Sequence, residues 1–181
     1  METPTITTER LLLRPATQGD LSFVLTLFSR SETNRYSSYG DISTPEEAKQ
    51  LFDAFLKPGS DTHFRLVVDL RGTGEPVGTI GLYAYSEQNR RAELGYDLLR
   101  EHWGKGLTTE AVIAVLRYAF EELKLNRVEA KTDSENVASI RVLEKSGFIR
   151  EGLLRQRYNY KGGFHDEVFY GILVGDLRQN R

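Results

Sequence analysis

The chain has no cysteine among its 181 residues. That excludes disulfides, a thiolate nucleophile and any Cys-ligated zinc or iron–sulfur cluster, so thiol chemistry must arrive on a cofactor. It also lacks an excess of either charge: 24 Lys+Arg stand against 26 Asp+Glu, a net charge of −2. Without a global basic field no stable nucleic-acid binding is expected, and partners should be small or locally recognised. Long hydrophobic runs are missing as well. The first apolar run, Leu11 to Leu13, is far too short for a signal segment or a membrane span, and nothing later reaches spanning length. The expectation is a cytoplasmic protein without a membrane partner. The three histidines, His63, His102 and His165, sit on separate segments with no ligand spacing and no Ser-His-Asp order, so no metal is expected. No repeat, linker or low-complexity stretch divides the chain, which reads as a single domain, 1–181, long enough to bury its own core.

What is present is a succession of clear patterns. Residues 11–14 read as a strand ended by Pro15, and Thr17 with Asp20 resembles a capping arrangement opening a helix through Phe23, Val24, Leu27 and Phe28. A second helix starts with Thr44 as N-cap, Pro45 first and Glu47 third, then Ala48, Leu51, Phe52 and Phe55 at helical spacing. The polar, Ser- and Tyr-rich stretch between them, 29–43, reads as a surface loop of a length that is often functional. Runs at 62–70, 76–85 and 92–99, joined by polar turns, form an antiparallel meander. Residues 107–125 then carry a long amphipathic helix, Val128, Ala130 and Thr132 alternate as a short strand, and 136–146 is a second amphipathic helix ending at Gly147. Two last strands, near 148–154 and 164–174, flank Lys161-Gly162-Gly163. The order βααβββαβαββ is that of a mixed α/β domain.

The chemistry concentrates where the third meander strand meets the long helix, in Glu93-Leu94-Gly95-Tyr96-Asp97-Leu98-Leu99-Arg100-Glu101-His102-Trp103-Gly104-Lys105-Gly106-Leu107-Thr108-Thr109-Glu110. Glycines permit close backbone approach, and the first N–H groups of a helix have no internal partners. The junction therefore offers donors and a positive dipole end to an anion such as a pyrophosphate, with Lys105 and Arg100 able to add charge. The plainer reading is that the glycines only turn the chain. Neither a Walker A loop nor the dinucleotide fingerprint is met: no Gly-Lys-Ser/Thr occurs at the right spacing, and Thr109 stands where a third glycine belongs.

These residues resemble the GNAT superfamily of N-acetyltransferases, and within it the RimJ/RimL-like branch that acetylates protein N-termini. The resemblance runs from Thr8-Glu9-Arg10-Leu11-Leu12-Leu13-Arg14-Pro15 through Glu93-Leu94-Gly95-Tyr96, His102-Trp103-Gly104-Lys105-Gly106 and Thr109-Glu110-Ala111. It continues through Asn136-Val137-Ala138-Ser139-Ile140-Arg141-Val142-Leu143-Glu144-Lys145-Ser146-Gly147-Phe148 to Glu151-Gly152. It implies the acyl-CoA N-acyltransferase fold, a mixed, mostly antiparallel central sheet flanked by helices. It also implies an acetyl-CoA site: the main chain of Trp103, Gly104, Lys105, Gly106, Leu107 and Thr108 around the pyrophosphate, and the strand at Tyr96 and Leu98 splayed from its neighbour beside the pantetheine. The superfamily's phosphate motif usually begins with Gln or Arg where this chain has Glu101, a place that varies within the branch.

The resemblance places Glu93 near the acetyl group as the base for the incoming ammonium, and Asn136 and Ser139 against the pantetheine, with Ser139 protonating the leaving thiolate. A base is useful because only a neutral amine attacks a thioester. An α-amine of pKa near 8 is roughly a tenth neutral at pH 7, far more than a lysine. Each residue also has a plainer reading: Glu93 as a solvated strand-edge charge, Asn136 as an N-cap, Ser139 bonded back within its helix. The tyrosine that many GNAT enzymes use as acid, seven residues after the asparagine, is Leu143 here. Arg141 and Lys145 can reach CoA phosphates or simply sit exposed, and Tyr36 and Tyr39 join the aromatic C-terminal end as candidates for the amine pocket. The expected activity is direct acetyl transfer from acetyl-CoA to a primary amine, foremost a protein N-terminal α-amine, with no metal. Small-amine acetylation and an acyl-CoA-binding module without turnover are the alternatives, and a homodimer is compatible with the sequence.

Overall fold

The computed structural model describes residues 3–36, 42, 44–56 and 62–179. Its elements in chain order are β1 (Ile6–Thr7), β2 (Leu11–Pro15), α1 (Leu21–Ser29), α2 (Pro45–Leu56), β3 (Thr62–Leu70), β4 (Pro76–Ser86) and β5 (Arg91–Leu98). They continue with α3 (Leu107–Glu121), β6 (Arg127–Asp133), α4 (Val137–Lys145), β7 (Ile149–Tyr160), β8 (Gly163–Leu173) and α5 (Val174–Gln179). The strands form one 8-stranded sheet in the order β1-β2-β3-β4-β5-β6-β8-β7. Every neighbouring pair is antiparallel except β5 with β6. The expected mixed, mostly antiparallel sheet flanked by helices is therefore the architecture of the chain.

Alternation along β3 assigns the two faces. Phe64, Leu66 and Val68 join the main core with Val112, Val115, Leu116 and Ala119 of α3. Arg65 points the other way, beneath the Phe28 ring of α1 at 5.5 Å, on the side where Val24, Leu27, Phe28, Phe52 and Leu99 form a second cluster. Helices thus cover both faces, and β4, in the middle, is buried along most of its length because both sides are occupied. The Thr44 signal is realised as a reciprocal capping box: Thr44 N donates to Glu47 Oε2 (3.1 Å) and Glu47 N to Thr44 Oγ1 (3.2 Å).

Four boundaries depart from the sequence reading. The pair Ile6–Thr7 and the terminal helix Val174–Gln179 were not expected; they are too short to show a period. Helix α3 stops at Glu121 rather than near Leu125, because Lys124 takes a left-handed conformation (φ 55°) and its carbonyl accepts from Arg90 Nε (2.8 Å). Strand β7 runs on to Tyr160, past an irregularity where Gln156 has φ 52° and its N–H donates to Asp166 Oδ1 (2.8 Å). The long polar loop is described only through Tyr36 and at Ile42, so Tyr39 lies outside the described residues.

Asp20 does more than open α1. Its carboxylate accepts from Thr17 N (2.7 Å) and makes both Arg14 Nη contacts at 2.8 Å, while Arg14 Nε reaches Asp69 of β3 at 2.5 Å. This fastens the start of α1 to the sheet. The Arg14 hydrogen bond holds the Asp20 carboxyl below the usual carboxylate range, so this stabilisation is full above its unfolded value near pH 4 and is lost as pH falls. Asp20→Asn should therefore cost about 2 kcal/mol in urea unfolding at pH 7, with the gap to wild type closing toward pH 3; a pH-independent gap would show that the charge is irrelevant.

Candidate active site

The site originates in an interrupted pairing. β5 and β6 are joined in parallel only at Arg91↔Arg127, Ala92↔Val128 and Glu93↔Glu129. Beyond Glu93, β5 stays on β4 as far as Leu98, whereas β6 stays on β8 as far as Asp133. Their diverging edges open a cleft of about 1230 Å³, and the unpaired edge of β5 offers backbone groups to an extended ligand. Tyr96, Leu98, Asn136, Ser139 and Arg141 all line it, as do Glu93 and Tyr36.

At the mouth, Arg100 to His102 make one 3₁₀ turn and the chain bends through Gly104 (φ 74°) and Gly106 (φ 76°) into α3. Both angles are ones that L side chains resist, and among the described residues, chain neighbours aside, no atom lies within 4 Å of the Cβ position at Gly104. Among the described residues no side chain caps the first N–H groups of α3. A glycine-built concavity with uncapped amides fits a pyrophosphate. Trp103, Gly104, Gly106, Leu107 and Thr108 line the cleft here, and the Trp103 indole donates to Leu98 O at 2.8 Å. Lys105 does not line it and takes part through its backbone, as its carbonyl accepts from Arg10 Nη1 at 2.9 Å. Glu101 is turned aside onto Arg30 (2.8 Å), so its carboxylate does not oppose an anion in the loop. Arg100 meets Glu32 at 3.5 Å on the cleft wall.

The loop is braced from a distance. Arg10 N and Nε donate to the two Glu110 oxygens (2.9 and 2.6 Å), and Thr8 Oγ1 donates to Glu110 Oε1 (2.6 Å). The N-terminal Thr8-Glu9-Arg10 segment thus grips the first turn of α3 and, through Lys105 O, the loop itself. Sequence reasoning missed this role, although both segments were quoted among the motif residues.

Across the cleft, Asn136 caps α4 by accepting from Ser139 N (3.1 Å), so the plainer reading of that residue is realised. Ser139 is not spent within its helix. Its Oγ lies 2.8 Å from the Tyr96 hydroxyl, which burial pushes well above the ordinary phenol range and so keeps protonated. Leu143, which stands at the usual acid position, is fully buried in the core. Arg141 and Lys145 are exposed on the cleft wall. At the far end, Glu93 Oε2 meets Lys131 Nζ at 2.5 Å. Of the aromatic C-terminal residues, Tyr158 and Tyr160 line the cleft, whereas Tyr170 is core and Phe164 is exposed. Among the described residues no cluster suited to a metal occurs.

A sheet that parts after a short parallel contact, with a glycine loop and helix N-terminus at its mouth, is the architecture of acyl-CoA N-acyltransferases. Residues 10–149 match the acetyltransferase (GNAT) domain family, and the chain belongs to that family. It is 37% identical over 172 residues to the uncharacterized N-acetyltransferase p20 of Bacillus licheniformis, covering 93% of this chain and 96% of that protein. It is 41% identical over 140 residues to the putative ribosomal N-acetyltransferase YdaF of Bacillus subtilis, covering 69% and 76%, and 29% identical over 156 residues to the spermidine N(1)-acetyltransferase of Escherichia coli, covering 86% and 82%. The crystal structure of a GNAT-family acetyltransferase from Bacillus anthracis superposes with a TM-score of 0.84 at 30% identity, covering 94% and 98% of the two chains. The chain is an N-acetyltransferase of a family that uses acetyl-CoA.

Free CoA at a hundredfold excess over Kd should stabilise the wild type by about 2.7 kcal/mol. Gly106→Val should abolish the shift, and Arg10→Ala, which frees the loop without touching the cleft, should weaken CoA binding roughly tenfold, the worth of a charge-assisted hydrogen bond. Calorimetry showing undiminished binding in Gly106→Val would remove the loop from the cosubstrate site.

Proposed function

We propose that the chain transfers acetyl from acetyl-CoA directly to the α-amine of a protein or peptide N-terminus. The observation that carries the transfer chemistry is the position of Glu93, at the last paired step before β5 and β6 part and five residues from Leu98 at the loop end. An extended strand puts those ends about 17 Å apart. A ligand whose phosphates rest on the glycine loop and whose arm follows β5 then brings its thioester to Glu93. Trp103, Gly104, Gly106, Leu107 and Thr108 would hold the pyrophosphate, Arg100 and Arg141 add charge, and Tyr96, Leu98 and Asn136 flank the arm.

In the proposed reaction Glu93, directly or through water, takes a proton from the acceptor's ammonium, and the neutral amine attacks the acetyl carbonyl. The carbon–sulfur bond breaks, and Ser139, backed by the Tyr96 hydroxyl, supplies the proton to the departing thiolate. The Tyr96–Ser139 pair thus takes over the role of the tyrosine that the chain lacks at Leu143. Likeness to the putative ribosomal N-acetyltransferase YdaF of Bacillus subtilis supports the N-terminal acceptor. A second reading, a small polycationic amine, is favoured by likeness to the Escherichia coli spermidine enzyme and by the carboxylates Glu93, Asp133, Glu135 and Glu167 along the cleft.

Thiol release measured with a panel of N-terminal peptides and small amines separates the two: the proposal expects peptides beginning with small residues to exceed spermidine in kcat/KM, and the reverse order would assign a polyamine acceptor. Glu93→Gln should keep CoA affinity and lower kcat by about 10²–10⁴-fold at pH 7, recovering part of the rate as pH approaches the amine pKa. An unchanged kcat, with chemistry limiting, would leave Glu93 as a strand-edge charge paired to Lys131.

A further inference from the structure

Most carboxylates that line the cleft have a partner. Glu93 has Lys131, Asp97 has Arg65, and Asp133 has Tyr160 Oη (2.5 Å) and His165 Nδ1 (3.0 Å). Glu167 differs. It sits on β8 opposite Asp133 in register, is only 3% exposed, and lines the cleft. Tyr158 beside it favours its charged form, but its Oε2 is buried and, among the described residues, has no hydrogen-bond partner. Among the described residues the nearest cation, Arg157 Nε, is 3.8 Å away, beyond hydrogen-bond distance, on a side chain that is half exposed. A buried carboxylate oxygen without a donor is costly, and substituting a neutral isostere would relieve that cost. Its place near Glu93 is accounted for when the missing donor arrives with the substrate.

We propose that Glu167 is the docking carboxylate for the acceptor's ammonium: the incoming cation donates to Oε2 and is held beside Glu93, selecting acceptors that bind in the charged form. This rests on the amine-acetylation reading above and adds a residue to it. One N–H of the ammonium is fixed by Glu167 while another proton leaves toward Glu93, so the nitrogen lone pair forms in place at the thioester. The groups facing Glu167 are Glu93 from β5, Lys131 and Asp133 from β6, and Arg157 and Tyr158 from β7. Burial raises the Glu167 carboxyl, with Glu93 adding to the effect and Tyr158, Lys131 and Arg157 opposing it. Acceptor binding should accordingly weaken on the acid side, where Glu167 takes up a proton and can no longer accept.

The test compares wild type, Glu167→Gln and Glu167→Met with two acceptors of one shape, a β-alanyl peptide, charged at pH 7, and an aminooxyacetyl peptide, uncharged at pH 7. Expected is a rise of about ten- to a hundredfold in KM for the β-alanyl peptide, the worth of a hydrogen bond to a charged group, with KM for the aminooxyacetyl peptide, KM for acetyl-CoA and the thermal shift by CoA unchanged. Equal losses on both acceptors, or no change in KM, would overturn the proposal. Calorimetric titration of the CoA-saturated proteins with n-butylamine and spermidine reads the same contact without turnover. Binding to wild type and not to either variant supports docking even if no peptide is acetylated, in which case the N-terminal reading alone falls. Equal binding to all three, or none to wild type, overturns the inference.

Discussion

The parting of β5 from β6 is the constraint on which the site depends. Three parallel pairs end at Glu93, and ion pairs hold that end closed: Arg91 with Glu129 at 2.8 Å, Arg127 with Glu129 at 2.8 Å, and Arg127 again with Glu151 on β7. Beyond the vertex each strand is committed to a different neighbour, so neither can turn back to close the gap. Unpaired strand edges are normally a liability. Here one lines a cleft spanned by the Tyr96–Ser139 contact and closed at its mouth by the glycine loop.

Two parts of the cleft differ in their chemistry, which the near-neutral net charge conceals. The mouth presents uncapped helix amides with Arg100, Arg141 and Lys145 nearby, suited to phosphates. Another part of the cleft wall presents Glu93, Asp133 and Glu167, suited to an ammonium. In the proposed reading a phosphate-bearing thioester and a cationic amine are thereby sorted to different parts of the cleft. The same division explains how an acidic Glu101 is tolerated in the loop: Arg30 draws it away from the anion site.

What the sequence disclosed was local. Thr44 and Glu47 stand three residues apart, Gly104 and Gly106 two apart, and the face of α3 repeats within one helix, so their physics is contained in a short window. The Arg10–Glu110 brace crosses 100 residues and the Tyr96–Ser139 contact 43, and nothing in either neighbourhood announces the partner. Lys124 and Gln156 occupy left-handed backbone without being glycine, so the end of α3 and the bend in β7 carried no punctuation. Glu167 carries no mark in its sequence neighbourhood; only the fold shows it opposite Asp133 as a buried carboxylate whose Oε2 has no hydrogen-bond partner among the described residues.

The claim that the divided strands form the cosubstrate site is tested most directly by amide hydrogen exchange, residue by residue, with and without CoA. Slowed exchange should appear in two patches, the loop and first turn of α3 at residues 103–108 and the free edge of β5 between residues 94 and 98, with β2, β3 and β7 unaffected. Protection spread evenly over the sheet, or confined to segments away from the cleft, would contradict the account.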